Sequence, residues 1–207
     1  MIQLQQTLSR SFTFGGKGLH TGNIAKMTVN PAPEDYGIRF RRTDMAEDAF
    51  IEAVAENVSA TTRSTTLTKN GASVMTVEHL LSALTGMGID NALIDIDNCE
   101  VPILDGSAKP YIDAIWKDGI VAQKAERKYI EIEKELVITS EKTGSSVVIT
   151  PSDTLSYSVE IDFNSKVLGL QTAEWNPSTV YAEEIGTCRT FVFFHEIEYL
   201  FNNNLIK

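Results

Sequence analysis

The adjacent pair Glu78 and His79, within TVEHLLSALTGMG, is the first candidate for chemistry. Catalytic zinc usually takes three protein ligands from His, Asp, Glu and Cys, and it lowers the pKa of bound water to about 7. On a helix two neighbours lie about 100° apart, so a His ligand and a Glu base can reach one cleft. Taken alone, the dipeptide favours a solvated Glu beside a hydrogen-bonded His, and it lacks the HExxH spacing.

Other reactive side chains give weaker signals. Cys99 and Cys188 are too few for a disulfide framework and are interpreted as free, partly buried thiols. A hydrolase built on Cys188 has no histidine within reach in the sequence and ranks last. His195 begins a polar helix face and is interpreted as a surface residue. The GGKG run lacks the spacing of a phosphate-binding loop.

Two helices are predicted to position these residues. In the first helix, apolar residues recur at Val77, Leu80, Leu81 and Leu84, with Thr76 as the N-cap and Gly86 and Gly88 as the stop. The second helix, SAKPYIDAIWKDG, is predicted to be capped by Ser107 and to end at Gly119. Both helices are expected to back a layer of strands.

The strands are predicted from alternation and turn signals. QQTLSRSFTF, IAKMTVNPA, GIRFRR and NALIDID read as strands, and Lys69-Asn70-Gly71 indicates a hairpin between Ala55 and Val74. VAQKAERK is polar and suits a linker, after which YIEIEKELVIT, GSSVVITP and LSYSVEIDF begin a second set of strands. Helix candidates STVYAEEIG and HEIEYLFNNNLIK follow. These patterns predict a first domain at 1–126 and a second at 127–207.

Composition excludes several classes of protein. The 207 residues carry 18 Lys and Arg against 28 Asp and Glu, a net charge of −10, which disfavours nucleic acid as a partner. The N-terminal residues lack the pattern of a secretory signal, and no apolar run is long enough for a membrane span. A cytoplasmic protein without stable membrane insertion is therefore expected.

Five ordered segments carry a resemblance to a known family. They are GKGLHTG (16–22), TVEHLLSALTGMGIDN (76–91), VPILDGSA (101–108), IDFN (161–164) and CRTF (188–191). Together they resemble the UDP-3-O-acyl-N-acetylglucosamine deacetylases, the zinc enzymes of the committed step of lipid A synthesis in Gram-negative bacteria. The resemblance implies an α+β fold of two similar domains, each a small β-sheet packed on two α-helices, with the active site between them.

The resemblance also implies roles for individual residues. His79 is similar to a zinc ligand, Glu78 to the general base that activates water, and Thr190 to a hydroxyl that stabilises the oxyanion. Asp162 and Phe163 resemble positions that hydrogen-bond and stack on the uracil of a UDP-linked, acylated N-acetylglucosamine. Without the resemblance, Phe163 at a strand end would be interpreted as a core residue.

The remaining candidates keep two interpretations. Phe191 leads into a helix that resembles the second-domain insert lining a passage for the acyl chain, although such aromatic residues also suit a core. Leu19 resembles a residue in a loop near the same cleft. His20 beside it is interpreted as a structural hydrogen-bonding residue, and Asp105 as a turn or helix-capping acid.

The sequence departs from the family in one important respect. The family's other two zinc ligands, a His and an Asp in an HKxxDxxGD-like motif, lie downstream, as does its histidine general acid, and this chain contains none of them. We therefore expect the chain to be the N-terminal portion of a deacetylase, with an incomplete second domain and no activity of its own. The uncapped end at Leu205-Ile206 could associate with a partner. The alternative is a noncatalytic module that binds a nucleotide sugar or a protein on the same scaffold.

Overall fold

A computed structural model of the chain describes residues 3–45 and 49–203. The fold is α+β, as predicted, with several small sheets and the helices on the same chain. In the described ranges the strands are β1 (Leu4–Leu8), β2 (Phe12–Lys17), β3 (Ile24–Pro31), β4 (Ile38–Arg42), β5 (Ala49–Glu52), β6 (Val58–Ala60), β7 (Thr66–Lys69), β8 (Ala72–Met75), β9 (Ala92–Ile96), β10 (Ile120–Glu126), β11 (Leu136–Thr139), β12 (Ser146–Ile149), β13 (Tyr157–Asp162) and β14 (Leu170–Trp175). The α-helices there are α1 (Glu78–Gly86), α2 (Lys109–Asp118), α3 (Tyr181–Glu184) and α4 (Phe194–Asn202).

The chain divides into two compact units. The first combines Met1–Arg127 with Tyr181–Lys207, and the second is Lys128–Val180. The family-like domains predicted at 1–126 and 127–207 stay a prediction, and Leu205 and Ile206 lie outside the described residues. No helix within 3–45 and 49–203 is both long and apolar enough to cross a membrane.

The first unit is organised around a five-stranded sheet in the order β2-β3-β9-β4-β5. β9 pairs antiparallel with β3 and parallel with β4. Alternate residues of these strands point into one core, as expected for a sheet with one buried face. The sheet contributes Met27, Val29, Phe40, Ile51, Ile94 and Ile96 to this core, and α1 and α2 contribute Leu80, Leu84, Ile112 and Ile115. The predicted layer of strands backed by two helices is therefore confirmed.

The hairpin predicted at Lys69-Asn70-Gly71 is also confirmed. β7 and β8 pair antiparallel around Asn70 and Gly71, which both have positive φ, 49° and 80°. Asn and Gly tolerate this conformation, which the tight primed turns of hairpins require. Strand β6 completes a three-stranded sheet on the other side of β7.

The prediction that VAQKAERK (121–128) forms a polar linker is wrong. Residues Ile120–Glu126 form β10, which pairs antiparallel with β1. The Gln123 side chain accepts a hydrogen bond from Asn91 at 2.7 Å and donates one to the Ala32 carbonyl at 3.0 Å. The polar composition reflects a strand with exposed side chains, whereas its backbone groups are paired with β1.

The helix ends are partly as predicted. α1 ends at Gly86, with Gly88 at φ +76°, and α2 ends at Asp118, with Gly119 as its C-cap at φ +88°. The prediction that Thr76 caps α1 is wrong, because Val77 is the N-cap and makes no side-chain cap hydrogen bond. At α2 the N-cap is Ala108, while the Ser107 hydroxyl accepts from the backbone N–H of Lys109 at 3.1 Å.

The second unit consists of two hairpins. β11 pairs antiparallel with β12, and β13 pairs antiparallel with β14, a strand that the sequence patterns did not reveal. All residues of 128–180 are described, and none of them has a buried side chain. Apolar strand residues such as Ile138 are largely exposed, at 61%. The unit described by itself thus lacks a core.

Candidate active site

Glu78 and His79 are the first two residues of α1, and both side chains are partly exposed. One oxygen of the Glu78 carboxylate, Oε2, accepts a hydrogen bond from the backbone N–H of Thr65 at 3.0 Å. Thr65 lies in the segment between β6 and β7. This contact fixes the direction of the carboxylate while leaving Oε1 available to accept a proton.

The segment that precedes α1 is held by a buried carboxylate. Glu100 is only 1% exposed and accepts a hydrogen bond from the Thr76 hydroxyl at 3.0 Å. It also accepts from the backbone N–H groups of His20 and Thr21, at 2.9 and 2.8 Å, and from the Thr21 hydroxyl at 2.6 Å. The loop that contains Leu19 is therefore tied to the residue two positions before Glu78.

Glu100 remains charged in spite of its burial. Burial raises the pKa of its carboxyl, but the hydrogen bonds from His20, Thr21 and Thr76 outweigh it, so the pKa lies below the ordinary value. A buried carboxylate is expected to be fully hydrogen-bonded, as this one is. The sequence patterns missed Glu100, because a single Glu after Cys99 carries no periodic or motif signal.

Thr190 and Phe191 lie on the segment that follows α3. The backbone N–H of Thr190 donates to the Gly106 carbonyl at 2.9 Å, and Arg189 pairs with Asp105 at 3.3 Å. Thr190 therefore packs on the loop that leads into α2. The Phe191 ring packs edge-to-face against Phe193, with 5.5 Å between ring centroids.

Asp105 has the turn role that the sequence allowed. Its carboxylate accepts from the backbone N–H and the hydroxyl of Ser107, at 3.1 and 2.8 Å. Burial raises the pKa of Asp105, whereas the hydrogen bonds from Ser107 and Arg189 lower it, and the net pKa is below the ordinary value. This carboxylate therefore orders the loop whose Gly106 carbonyl accepts from the Thr190 N–H.

Two glycines let the segment 181–190 pack closely against α1 and α2 within the first unit. A Cβ on Gly86 would overlap the Tyr181 ring, and a Cβ on Gly186 would overlap the Ile112 side chain. The Tyr181 hydroxyl is hydrogen-bonded to the Ser82 hydroxyl at 2.6 Å. Sequence reasoning treated Gly86 only as a helix stop, and the close aromatic contact had no signal of its own.

Asp162 and Phe163 belong to the second unit, at the end of β13. The Asp162 carboxylate accepts from the backbone N–H of Asn164 at 2.8 Å, and the Phe163 N–H donates to the Gly169 carbonyl at 3.3 Å. Both residues border the turn between β13 and β14. Their assignment to a uracil site stays a prediction.

The described residues do not form a complete metal site. Within 3–45 and 49–203 there is no group of three or more His, Cys, Asp and Glu residues that could hold a metal ion. His79 fits a single ligand position, and catalytic zinc needs three. Of the other histidines, His20 donates its backbone N–H to Glu100, and the His195 ring stacks on Phe193 with 5.4 Å between ring centroids.

The comparisons with known proteins agree with one another. The family model described as "LpxC: UDP-3-O-acyl N-acetylglycosamine deacetylase" matches residues 5–207. The chain is 42% identical over 206 residues to the "Bifunctional enzyme LpxC/FabZ" of Porphyromonas gingivalis, covering 100% of this chain and 45% of that protein. It is 45% identical over 206 residues to the "UDP-3-O-acyl-N-acetylglucosamine deacetylase" of Saccharophagus degradans, covering 98% and 67%.

A third relative has the same extent of similarity. The deacetylase of Pseudomonas entomophila is 43% identical over 204 residues, covering 97% of this chain and 67% of the relative. The chain thus spans less than half the length of the bifunctional relative and about two thirds of the deacetylases. With a family model matched along almost all of its residues, the chain belongs to the UDP-3-O-acyl N-acetylglycosamine deacetylase family.

Proposed function

We propose that the protein carrying this chain hydrolyses the N-acetyl group of a UDP-3-O-(3-hydroxyacyl)-N-acetylglucosamine, the committed step of lipid A synthesis, in the cytoplasm. Family membership supports this proposal. The observation that carries it is the Glu78 carboxylate at the start of α1, next to His79 in the sequence. The Thr65 backbone N–H donates to Oε2 of this carboxylate and holds it in place. A carboxylate with one fixed and one available oxygen suits a general base.

The chain supplies part of the chemistry. We propose zinc as the cofactor, with His79 as one ligand and the other ligands outside this chain; when bound, the metal would activate water and polarise the acetyl carbonyl. Glu78 would accept the proton of the attacking water. The Thr190 hydroxyl, on a backbone anchored to the Gly106 carbonyl, would donate to the developing oxyanion.

Four residues of the chain are proposed to recognise the substrate. Asp162 and Phe163 would hydrogen-bond and stack on the uracil, because a nucleobase offers an N–H donor and an aromatic face. Phe191, which is 57% exposed, and Leu19 in the loop tied to Glu100 would contact the acylated sugar. The net charge of −10 disfavours nucleic acid as a partner.

The decisive variant is Glu78→Gln in the gene product that carries this chain. We expect kcat for N-acetyl hydrolysis to fall by about 10²-fold or more, because general-base catalysis contributes about 10²–10⁴-fold. Glu56→Gln, at an exposed residue of the same unit, is the matched control and should keep wild-type turnover. Unchanged turnover in Glu78→Gln would exclude Glu78 as the base.

The isolated 207-residue chain gives a second test. Because the described residues provide one ligand position, we expect it to lose zinc on dialysis and to show no deacetylation. Tight zinc binding with substrate turnover by the chain alone would contradict this assignment of ligands.

A noncatalytic binding module is the second candidate. The exposed apolar strands of 128–180 favour it, because such surfaces commonly mark association sites. Calorimetry with UDP separates the two functions. Binding of UDP without hydrolysis of the acylated UDP-sugar by the gene product would favour the module.

A further inference from the structure

The segment that enters α1 has an unusual backbone. Thr76 has φ +59°, in the left-handed region, and it directly precedes Val77 and Glu78. A β-branched residue in this conformation is strained, and the conformation persists only where the surrounding structure holds the residue in place. The conformation of Thr76 sets the direction in which the chain enters the helix, and so the direction of Glu78 and His79.

Two sets of contacts hold Thr76 in this conformation. The neighbouring backbone is fixed by paired hydrogen bonds, from the Met75 N–H to the Cys99 carbonyl and from the Val101 N–H to the Met75 carbonyl. The Thr76 hydroxyl donates to Oε1 of Glu100, the residue between Cys99 and Val101. The Glu100 side chain therefore contacts Thr76, while the two residues on either side of Glu100 pair with Met75, the residue before Thr76.

The same carboxylate fixes the 18–23 loop. Its Oε1 accepts from the His20 N–H, and its Oε2 accepts from the N–H and the hydroxyl of Thr21. Gly18 is required by this arrangement, because a Cβ at that position would overlap the Glu100 carboxylate. The buried carboxylate therefore accepts four hydrogen bonds and links two segments that are far apart in the sequence.

We propose that Glu100 is a positioning residue, whose buried carboxylate couples the 18–23 loop to the start of α1 and thereby aims Glu78 and His79. It does not touch the reacting atoms. The inference rests on the proposed function for its effect on catalysis, while the coupling itself is a property of the described residues. Leu19 and Glu78, on two different segments, would thus be set by one carboxylate.

Glu100→Gln tests this coupling with almost no change in the shape of the side chain. The two backbone donors approach different oxygens, so whichever way the amide is turned, its NH2 group faces either the His20 N–H or the Thr21 N–H. A hydroxyl can rotate to accept, but a backbone N–H cannot. The variant should therefore accelerate amide hydrogen exchange at one of His20 and Thr21, the one whose N–H faces the NH2 group. It should also accelerate exchange at Leu81, whose N–H donates to the Val77 carbonyl in the first turn of α1.

Thr76→Val separates the two halves of the coupling and keeps the shape of the side chain. It removes only the hydroxyl that reaches Glu100, so exchange should accelerate at Leu81 while His20 and Thr21 stay protected. Thr76→Ser retains a hydroxyl and should restore wild-type exchange at all three amides. Glu56→Gln, which removes an exposed carboxylate, is the control for charge.

Kinetics of the gene product then distinguish positioning from support of the fold. For Thr76→Val we expect kcat to fall by about tenfold or more with KM within about twofold, since small misplacements of catalytic groups cost up to about 10²-fold. Thr76→Ser should recover kcat. The proposal is overturned if Leu81 exchange is unchanged in both Thr76→Val and Glu100→Gln, if Thr76→Ser behaves as Thr76→Val, or if exchange changes without any loss of kcat.

The two proposals fail in different ways. A wild-type gene product that does not hydrolyse the acylated UDP-sugar would remove the proposed function. The exchange pattern of the 207-residue chain would still decide whether Glu100 couples the two segments. If Glu100→Gln does not fold, Thr76→Val alone decides the outcome.

Discussion

Both compact units contain paired strands, but their interiors are very different. In the first unit, side chains from the sheet, α1 and α2 fill one core, and Phe40, Ile94 and Ile112 are fully buried. In 128–180, which is described throughout, every strand residue is exposed or only partly covered. Strand patterns therefore predict backbone pairing in both units, while burial depends on a second layer of structure that covers the apolar face.

Core truncation should give the largest difference between the units. We expect Phe40→Ala to lower the free energy of unfolding by about 3–5 kcal/mol, because it leaves a cavity in a filled core. Ile138→Ala, at a residue that is 61% exposed, should change it by less than about 0.5 kcal/mol. Urea denaturation of the 207-residue chain measures both variants. Similar losses for the two variants would show that 128–180 has a core of its own in solution.

The contact between Gly86 and Tyr181 sharpens the comparison, since it joins residues far apart in the sequence within the first unit. Gly86→Ala should destabilise the chain by about 1–3 kcal/mol, because the added methyl group overlaps the tyrosine ring. In a Tyr181→Ala background the same change should be neutral or stabilising, because alanine is the better helix former. Gly15→Ala, where a Cβ has room, is the control. Equal effects in both backgrounds would rule out the ring contact as the cause.

Acid titration tests the buried Glu100 carboxylate of the first unit. At neutral pH, Glu100→Gln should cost about 1–3 kcal/mol, because it leaves a buried N–H without an acceptor. The folded pKa of Glu100 lies below its unfolded value of about 4.3, so its charge stabilises the fold above pH 4.3. This advantage should disappear as the pH falls through the folded pKa. A difference between wild type and variant that does not shrink in acid would contradict the assignment.

Local patterns predicted the elements whose causes are local. The Asn70-Gly71 turn, the ends of α1 and α2 at glycines, and the apolar stripe of α1 all follow from the conformational preferences of a few neighbouring residues. The apolar periodicity also placed Glu78 and His79 together at the start of a helix, and the structure describes them there. The roles of these residues remain proposals.

Contacts between distant segments were not predictable in the same way. Strand β10 looked like a linker because its side chains are polar, and nothing in its composition shows that β1 pairs with it. Thr76 has the residue type of an N-cap, but its hydroxyl donates to Glu100, which lies 24 positions further along the chain. Each error arises where a long-range partner replaces the local one that the pattern assumes.

Arg127 and Tyr181, which flank the second unit in sequence, both contact the C-terminal end of α1. The Arg127 guanidinium donates to the Gly88 carbonyl at 2.9 Å, and the Tyr181 ring packs against Gly86. Arg127 and Tyr181, which both belong to the first unit, are therefore held at the same end of α1. The entropic cost of closing a loop grows only slowly with its length. An intervening segment between two anchored residues can therefore change in length or open locally while the first unit stays folded.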